Sequence, residues 1–150
     1  MLILDYNNLQ LISDEVETAF PREACGLLLG FARLDGNIEV TSVSPSKNLA
    51  NDKRDSFEID PALRFRLMRE SAVNGILSES SIPEIVGHYH SHPNGAPVPS
   101  DEDIRMALEP ELVWLIASVM EGKFVECKAY LLASNHVEFS DIGLHCTSGR

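Results

Sequence analysis

Apolar residues return along this chain with two different periods, and the switches between them mark out its elements. Leu9, Ile12, Val16, Ala19 and Phe20 recur at helical spacing, which predicts a first helix capped by Asn7 or Asn8 and stopped by Pro21. Leu27-Leu28-Leu29-Gly30-Phe31 is a short unbroken apolar run, the pattern of a buried strand. Asp35-Gly36 signals a hairpin turn, after which Ile38 to Val43 alternates as a half-exposed partner strand. Ser44 to Asp55 is polar and predicts a surface loop, and Ser56 to Ile59 a short strand. Asp60-Pro61 supplies an N-cap and a proline at the first helical position of a second helix. Leu63, Leu67 and Met68 would form the apolar side of that helix, and Gly75 would cap its end.

In the second half, Glu84 to His90 predicts a strand entering the core, and Pro93 to Pro99 a loop stiffened by prolines. Ser100 opens a third helix, expected to reach about Leu108. Leu112 to Val119 is strongly apolar, as in a central strand, and Glu121-Gly122-Lys123 turns it into a further strand from Phe124 to Leu132. Ser134-Asn135 turns again before Val137-Glu138-Phe139, and the tail from about Ser140 to Arg150 has no clear pattern. Strands mixed with three helices and joined in several places by hairpins imply an α+β domain with a mixed or largely antiparallel sheet. A length of 150 residues suits one domain with a core of its own.

Charge narrows the partners. A formal net charge of −11 argues against nucleic acid, which needs clustered Lys and Arg to bind phosphates. No apolar run approaches the length of a membrane span, so no membrane partner is expected. Cys25, Cys127 and Cys146 are scattered and odd in number, poor material for a disulfide framework. With no basic, then apolar, leader at the N-terminus, the expected location is the cytoplasm.

The densest chemistry lies in Gly87-His88-Tyr89-His90-Ser91-His92-Pro93, followed by Ser100 and Asp103. Along a strand, alternate side chains share a face, so the three imidazoles point the same way. His90 and His92 can converge on one metal ion, with Asp103 at a helix start supplying a carboxylate. Three protein ligands leave zinc a position for water, as a hydrolytic site requires. His88 lies about 13 Å along an extended strand from His92, too far to share that ion, and reads as a buried residue beside it. Ser100-x-x-Asp103 also has a plainer reading as a capping box, and one oxygen of Asp103 is not expected to cap and to ligate at once. His136 and His145 read as ordinary residues. Glu23, between Pro21 and a buried strand, is singled out among the acids by apolar surroundings that would raise its pKa towards that of a general base.

His90-Ser91-His92-Pro93, six residues, Ser100, two residues and Asp103, with Glu23 upstream, resembles the JAMM (MPN+) motif of zinc isopeptidases. Pro21 to Gly30, Phe57 to Pro61 and Glu84 to Gly87 are similar to the bacterial branch, which includes peptidases acting on sulfur-carrier adducts. The resemblance implies a three-layer α-β-α fold with a curved, barrel-like sheet, of the cytidine-deaminase-like kind. It implies one zinc ion (Zn2+) with a catalytic water, held by His90, His92 and Asp103. Glu23 would then carry the proton from water to the leaving amine, and Ser100 would hydrogen-bond the oxyanion. The implied substrate is an amide bond after the C-terminal Gly-Gly of a ubiquitin-like or sulfur-carrier protein, as in a carrier–cysteine adduct, and a homodimer is one assembly it allows. Two other readings stand beside it: a non-catalytic scaffold of the wider MPN fold, disfavoured because every ligand is retained, and a peptidase of phage-tail assembly, which neighbouring genes would discriminate.

Overall fold

The computed structural model describes residues 1–78, 80–107, 111–133 and 138–148. Among the described residues, three helices and eight strands follow one another: β1 (Leu2–Asp5), α1 (Tyr6–Ala19), β2 (Cys25–Ala32), β3 (Ile38–Ser46), α2 (Pro61–Leu77), β4 (Glu84–Pro93), α3 (Asp101–Met106), β5 (Val113–Met120), β6 (Lys123–Leu132), β7 (Phe139–Asp141) and β8 (Leu144–Thr147). The strands form a mixed sheet in the order β7-β6-β5-β4-β2-β3-β1-β8. β4 runs parallel to β5, and β1 parallel to both β3 and β8, while the other neighbours are antiparallel.

The sheet must curl. Laid flat, eight strands would set β7 and β8 about 33 Å apart. Yet Asp141 ends β7 and Leu144 begins β8, and that link spans at most about 11 Å. α1 accordingly touches β1, β3, β5, β6 and β8, strands from both halves of the order, so the sheet wraps around it. Ile12 and Val16 of α1 are buried there against Leu2, Leu4, Leu28, Tyr89, Leu115 and Val119. The opposite face carries a smaller apolar cluster of Trp114, Ile116, Tyr130 and Leu132, with Ala107 at the end of α3 and Phe57 packed against it. α2 rests on β4, and its Arg64 and Pro61 share a groove with His88 and Trp114, which puts it on this same second face. The layers are thus helix, sheet and helices.

Local chemistry explains most boundaries. Asp60 caps α2 by accepting the Ala62 N–H at 2.9 Å, with Pro61 in the first turn as expected. α1 is capped by Asp5, which accepts the Asn8 N–H at 2.7 Å, and not by Asn7 or Asn8. The cause is β1, which the sequence pattern did not show: it delivers the chain to the helix two residues early. α2 runs through Gly75 to Leu77, because nothing crowds or turns the backbone at that glycine. Met68 faces solvent on it, and Leu67 is the residue it buries. Residues 56–59 form only an isolated bridge, Asn48 to Ile59. Past Ser140 the chain forms β7 and β8 where no pattern was visible, since β8 gains its order by pairing with β1. The turn expected at Ser134-Asn135, the end of the third helix at Leu108, and His136 fall outside the described residues.

Candidate metal centre

β4 supplies two imidazoles from one face. His90 is fully buried and His92 partly so, and their Nε2 atoms lie 3.0 Å apart. Asp103, in the first turn of α3, brings Oδ2 to 3.2 Å from the Nε2 of His90 and 3.1 Å from that of His92. The three atoms form a nearly equilateral triangle. In tetrahedral zinc with bonds of about 2.0–2.1 Å, neighbouring ligand atoms stand about 3.3–3.4 Å apart, so the triangle is the right size, slightly contracted.

Hydrogen bonding limits what the triangle can hold. The Nδ1 of His92 lies 2.9 Å from the carbonyl oxygen of Ala96. A carbonyl only accepts, so Nδ1 carries the hydrogen and the Nε2 of a neutral His92 is a bare lone pair. That lone pair faces a carboxylate oxygen and another imidazole nitrogen. A hydrogen on the Nε2 of His90, or one gained by His92 on protonation, could intervene, but neither serves all three mutual contacts. A divalent cation among them would serve all three, and the donor set of two imidazoles and a carboxylate suits zinc. Titration follows the same logic. Burial works against a charge on His92, but its bonds to Asp103 and Ala96 prevail and hold its pKa above the ordinary value. Burial lowers that of His90. Burial would raise Asp103, yet the two histidines hold its carboxyl below the usual range.

Asp103 overturns one expectation. The same Oδ2 that faces the imidazoles also accepts the Ser100 backbone N–H at 2.9 Å, and Ser100 Oγ accepts the Asp103 N–H at 3.0 Å. A complete capping box therefore coexists with the cluster. A carboxylate oxygen has two lone pairs, so the one that accepts the cap can also face the imidazoles. The cap fixes the carboxylate at the strand ends.

Glu23 arrives from the start of β2. It is 5% exposed, Oε1 has no hydrogen-bond partner, and its carboxylate lies within 4.8 Å of the ring nitrogens of His90 and His92. Burial pushes its pKa up to about 8, with His92 pulling the other way and Asp103 adding to the rise. Asp103 is the carboxylate nearer both imidazoles, so Glu23 stands further out, where a water could lie between. Two bonds bolt this strand start to β4: the Ala24 N–H donates to Ser91 Oγ at 2.8 Å and the Ser91 N–H to the Ala24 carbonyl at 3.1 Å. The sequence reading passed over Ser91, although alternation put it on the face away from the histidines.

His88 shares the face but not the cluster, as the distance along the strand requires. Its ring meets Trp114 edge-on at 4.4 Å, and burial drives its pKa down to about 3, so it is neutral. Phe57, which the sequence offered only as the start of the stretch to Pro61 and with no role at the centre, stacks on His90 at 4.2 Å with planes 16° apart. Since His90 Nδ1 has no hydrogen-bond partner, this stacking holds the ring in place. The loop from β4 to α3 is pinned by Ser118 Oγ to the Gly95 carbonyl and by the Tyr130 hydroxyl to the Pro97 carbonyl. No cysteine enters the centre: Cys25 is buried, with its thiol pushed up to about 12 by burial.

Residues 7–132 match a family described as prokaryotic homologs of the JAB domain. The chain belongs to the JAMM/MPN family. A desampylase of Haloferax volcanii is 36% identical over 99 residues, which make up 65% of this chain and 63% of that protein, so the likeness spans less than two thirds of the relative. Among solved structures, a protein of Desulfitobacterium hafniense superposes with a TM-score of 0.81 at 29% identity, covering 99% of this chain and 94% of its own. A protein of Salinibacter ruber does so with a TM-score of 0.67 at 25% identity, over 98% and 92%. The family match over residues 7–132 takes in Glu23, His90, His92 and Asp103.

Proposed function

We propose that this JAMM/MPN chain is a zinc-dependent metallo-isopeptidase or peptidase of the cytoplasm. It would hydrolyse the amide bond after the C-terminal Gly-Gly of a ubiquitin-like or sulfur-carrier protein. One observation carries the reading: three electron-pair donors meet in a triangle of zinc-ligand size beside a buried carboxylate with one oxygen unpartnered. A scaffold has no use for that arrangement. Burying Glu23 without a partner costs on the order of 1–3 kcal/mol or more, a cost a catalytic role explains. The likeness to a desampylase favours the same choice.

In this reading His90, His92 and Asp103 hold the metal, which when bound supplies Lewis acidity to water and carbonyl. Glu23 takes a proton from the attacking water. It passes that proton to the amine nitrogen as the C–N bond breaks. Ser100 Oγ accepts from the Asp103 N–H, which leaves its hydroxyl hydrogen free to donate to the developing oxyanion. Asp103, fixed by its cap, keeps the ligand triangle from opening.

The test is cleavage of a Gly-Gly-ended carrier adduct, such as a carrier–cysteine amide, by the zinc-loaded full chain. Cleavage should stop with a chelator and return on adding zinc. A zinc-loaded protein that cleaves no such adduct, or one whose cleavage ignores the chelator, overturns the proposal.

A further inference from the structure

Asn48 sits in the polar stretch between β3 and α2, which reads in sequence as a surface loop. Its carboxamide is nevertheless fully engaged. Nδ2 donates to the Glu23 carbonyl and to the Ser56 carbonyl, each at 3.0 Å. Oδ1 accepts the Ala50 N–H and the Glu58 N–H, again each at 3.0 Å. A primary amide has two donor hydrogens and two acceptor lone pairs, so nothing is left over. The partners also fix its orientation, because both groups facing the nitrogen are carbonyls and both facing the oxygen are N–H groups.

These bonds join two parts of the candidate centre. Ser56 and Glu58 flank Phe57, so one side chain grips the peptide groups on either side of the ring that stacks on His90. The Leu49 N–H adds to that grip by donating to the Glu58 carbonyl at 2.9 Å. The same amide holds Glu23 by its carbonyl, and the Glu23 N–H donates to the Lys53 carbonyl at 2.6 Å. Both backbone polar groups of Glu23 therefore end on one loop, whereas its buried Oε1 has no partner to steer it. The carboxylate is aimed from its backbone.

A group that carries a proton from water to an amine must come within a hydrogen bond of each, and a displacement of about 1 Å can cost about a hundredfold in rate. We infer that Asn48 is a positioning residue for Glu23: its carboxamide sets the carboxylate against His90 by tying the Glu23 backbone to the segment that stacks on that imidazole. The inference rests on the reading of Glu23 as the proton carrier of an amide hydrolase. Ordering the loop by itself needs only the bonds to Ala50, Ser56 and Glu58. The bond to Glu23 crosses to another element, and its purpose lies there.

The experiment is a double-mutant cycle on the zinc-loaded full chain, with a Gly-Gly-ended carrier adduct as substrate. Asn48→Ala should lower kcat by about tenfold to a hundredfold, with KM unchanged and zinc retained. In a Glu23→Gln background the same substitution should cost less than about threefold, since the group it aims is gone. Asn48→Asp keeps the two N–H partners but sets an oxygen against the carbonyls of Glu23 and Ser56, so it should be at least as slow as Asn48→Ala. Should Asn48→Ala not fold, the cycle is run with Asn48→Asp. Ile12→Val, in the core around α1, lowers stability away from the centre and should leave kcat as it is. Hydrogen exchange gives a readout apart from activity. In metal-free Asn48→Ala the Glu23 amide should exchange about tenfold faster, with the Ser91 amide protected as before. An unchanged kcat, or equal losses in the two backgrounds, or Asn48→Asp faster than Asn48→Ala, overturns the inference and leaves the hydrolase reading standing. No cleavage by the unsubstituted chain overturns both.

Discussion

β4 has two faces, and they obey different rules. On one, Tyr89 is packed into the apolar cluster around α1, with its ring laid over Gly26. On the other, His88, His90 and His92 line up, and two of them keep a buried ring nitrogen without a partner. The first face is filled by shape. The second carries polar atoms whose burial costs stability and whose convergence is useful only to something bound there. The contrast is not absolute, since the Tyr89 hydroxyl is also buried without a partner. What separates the faces is convergence: Tyr89 stands alone, whereas the Nε2 atoms of His90 and His92 meet Asp103 within 3.2 Å. A lone unsatisfied group is a small defect in packing, whereas imidazoles and a carboxylate that converge on one point form a candidate site.

Substitutions can pull the two faces apart. The largest effect is expected at Glu23, where Glu23→Gln should lower turnover by about 10²–10⁴-fold and leave zinc in place. Single-turnover cleavage together with metal analysis checks it, and undiminished cleavage removes Glu23 from the mechanism. Asp103→Ala comes next. It removes both a proposed ligand and half of a capping box, so the protein should lose zinc on gel filtration and also lose about 1 kcal/mol in urea unfolding. Loss of stability with full zinc content would show that Asp103 only caps.

On the packed face the expected cost is one of stability alone. A Cβ on Gly26 would lie 2.4 Å from the Tyr89 ring, so Gly26→Ala should cost about 1–3 kcal/mol in urea unfolding while the purified protein still binds zinc. The smallest effects are expected at the unpartnered atoms themselves. Tyr89→Phe removes an unpaired hydroxyl, and His88→Met replaces a neutral buried imidazole with an apolar chain of similar reach. Each should be close to neutral in stability, within about 1 kcal/mol, with zinc content unchanged. Loss of zinc in His88→Met would make His88 part of the centre and blur the line between the faces.

Much of this could be read along the chain, because the responsible forces act locally. Alternation on a strand puts His90 and His92 on one face whatever the rest of the fold does. The Asp60-Pro61 start of α2 and the Ser100–Asp103 box depend on side chains reaching backbone groups two or three residues away, and both formed as the pattern implied. The misreadings at the two ends of the chain share a cause in partners distant in sequence. β1 is too short to show a period, and β8 has none. Each is a strand because it pairs with the other, across more than 140 residues of chain. Asp5 became a helix cap because β1 ends there.

The amino-acid sequence by itself determined the common face of His90 and His92 and the helix start that offers a carboxylate, since each follows from backbone periodicity and short-range hydrogen bonds. Only the tertiary structure decided how Glu23 meets the histidines, through the bonds of Ala24 to Ser91 that register β2 against β4. It alone showed that one oxygen of Asp103 both caps and joins the cluster, and that Asn48 ties Glu23 to the loop beside His90. Those facts depend on positions in space rather than on spacing, because a curling sheet brings together residues that no local pattern relates.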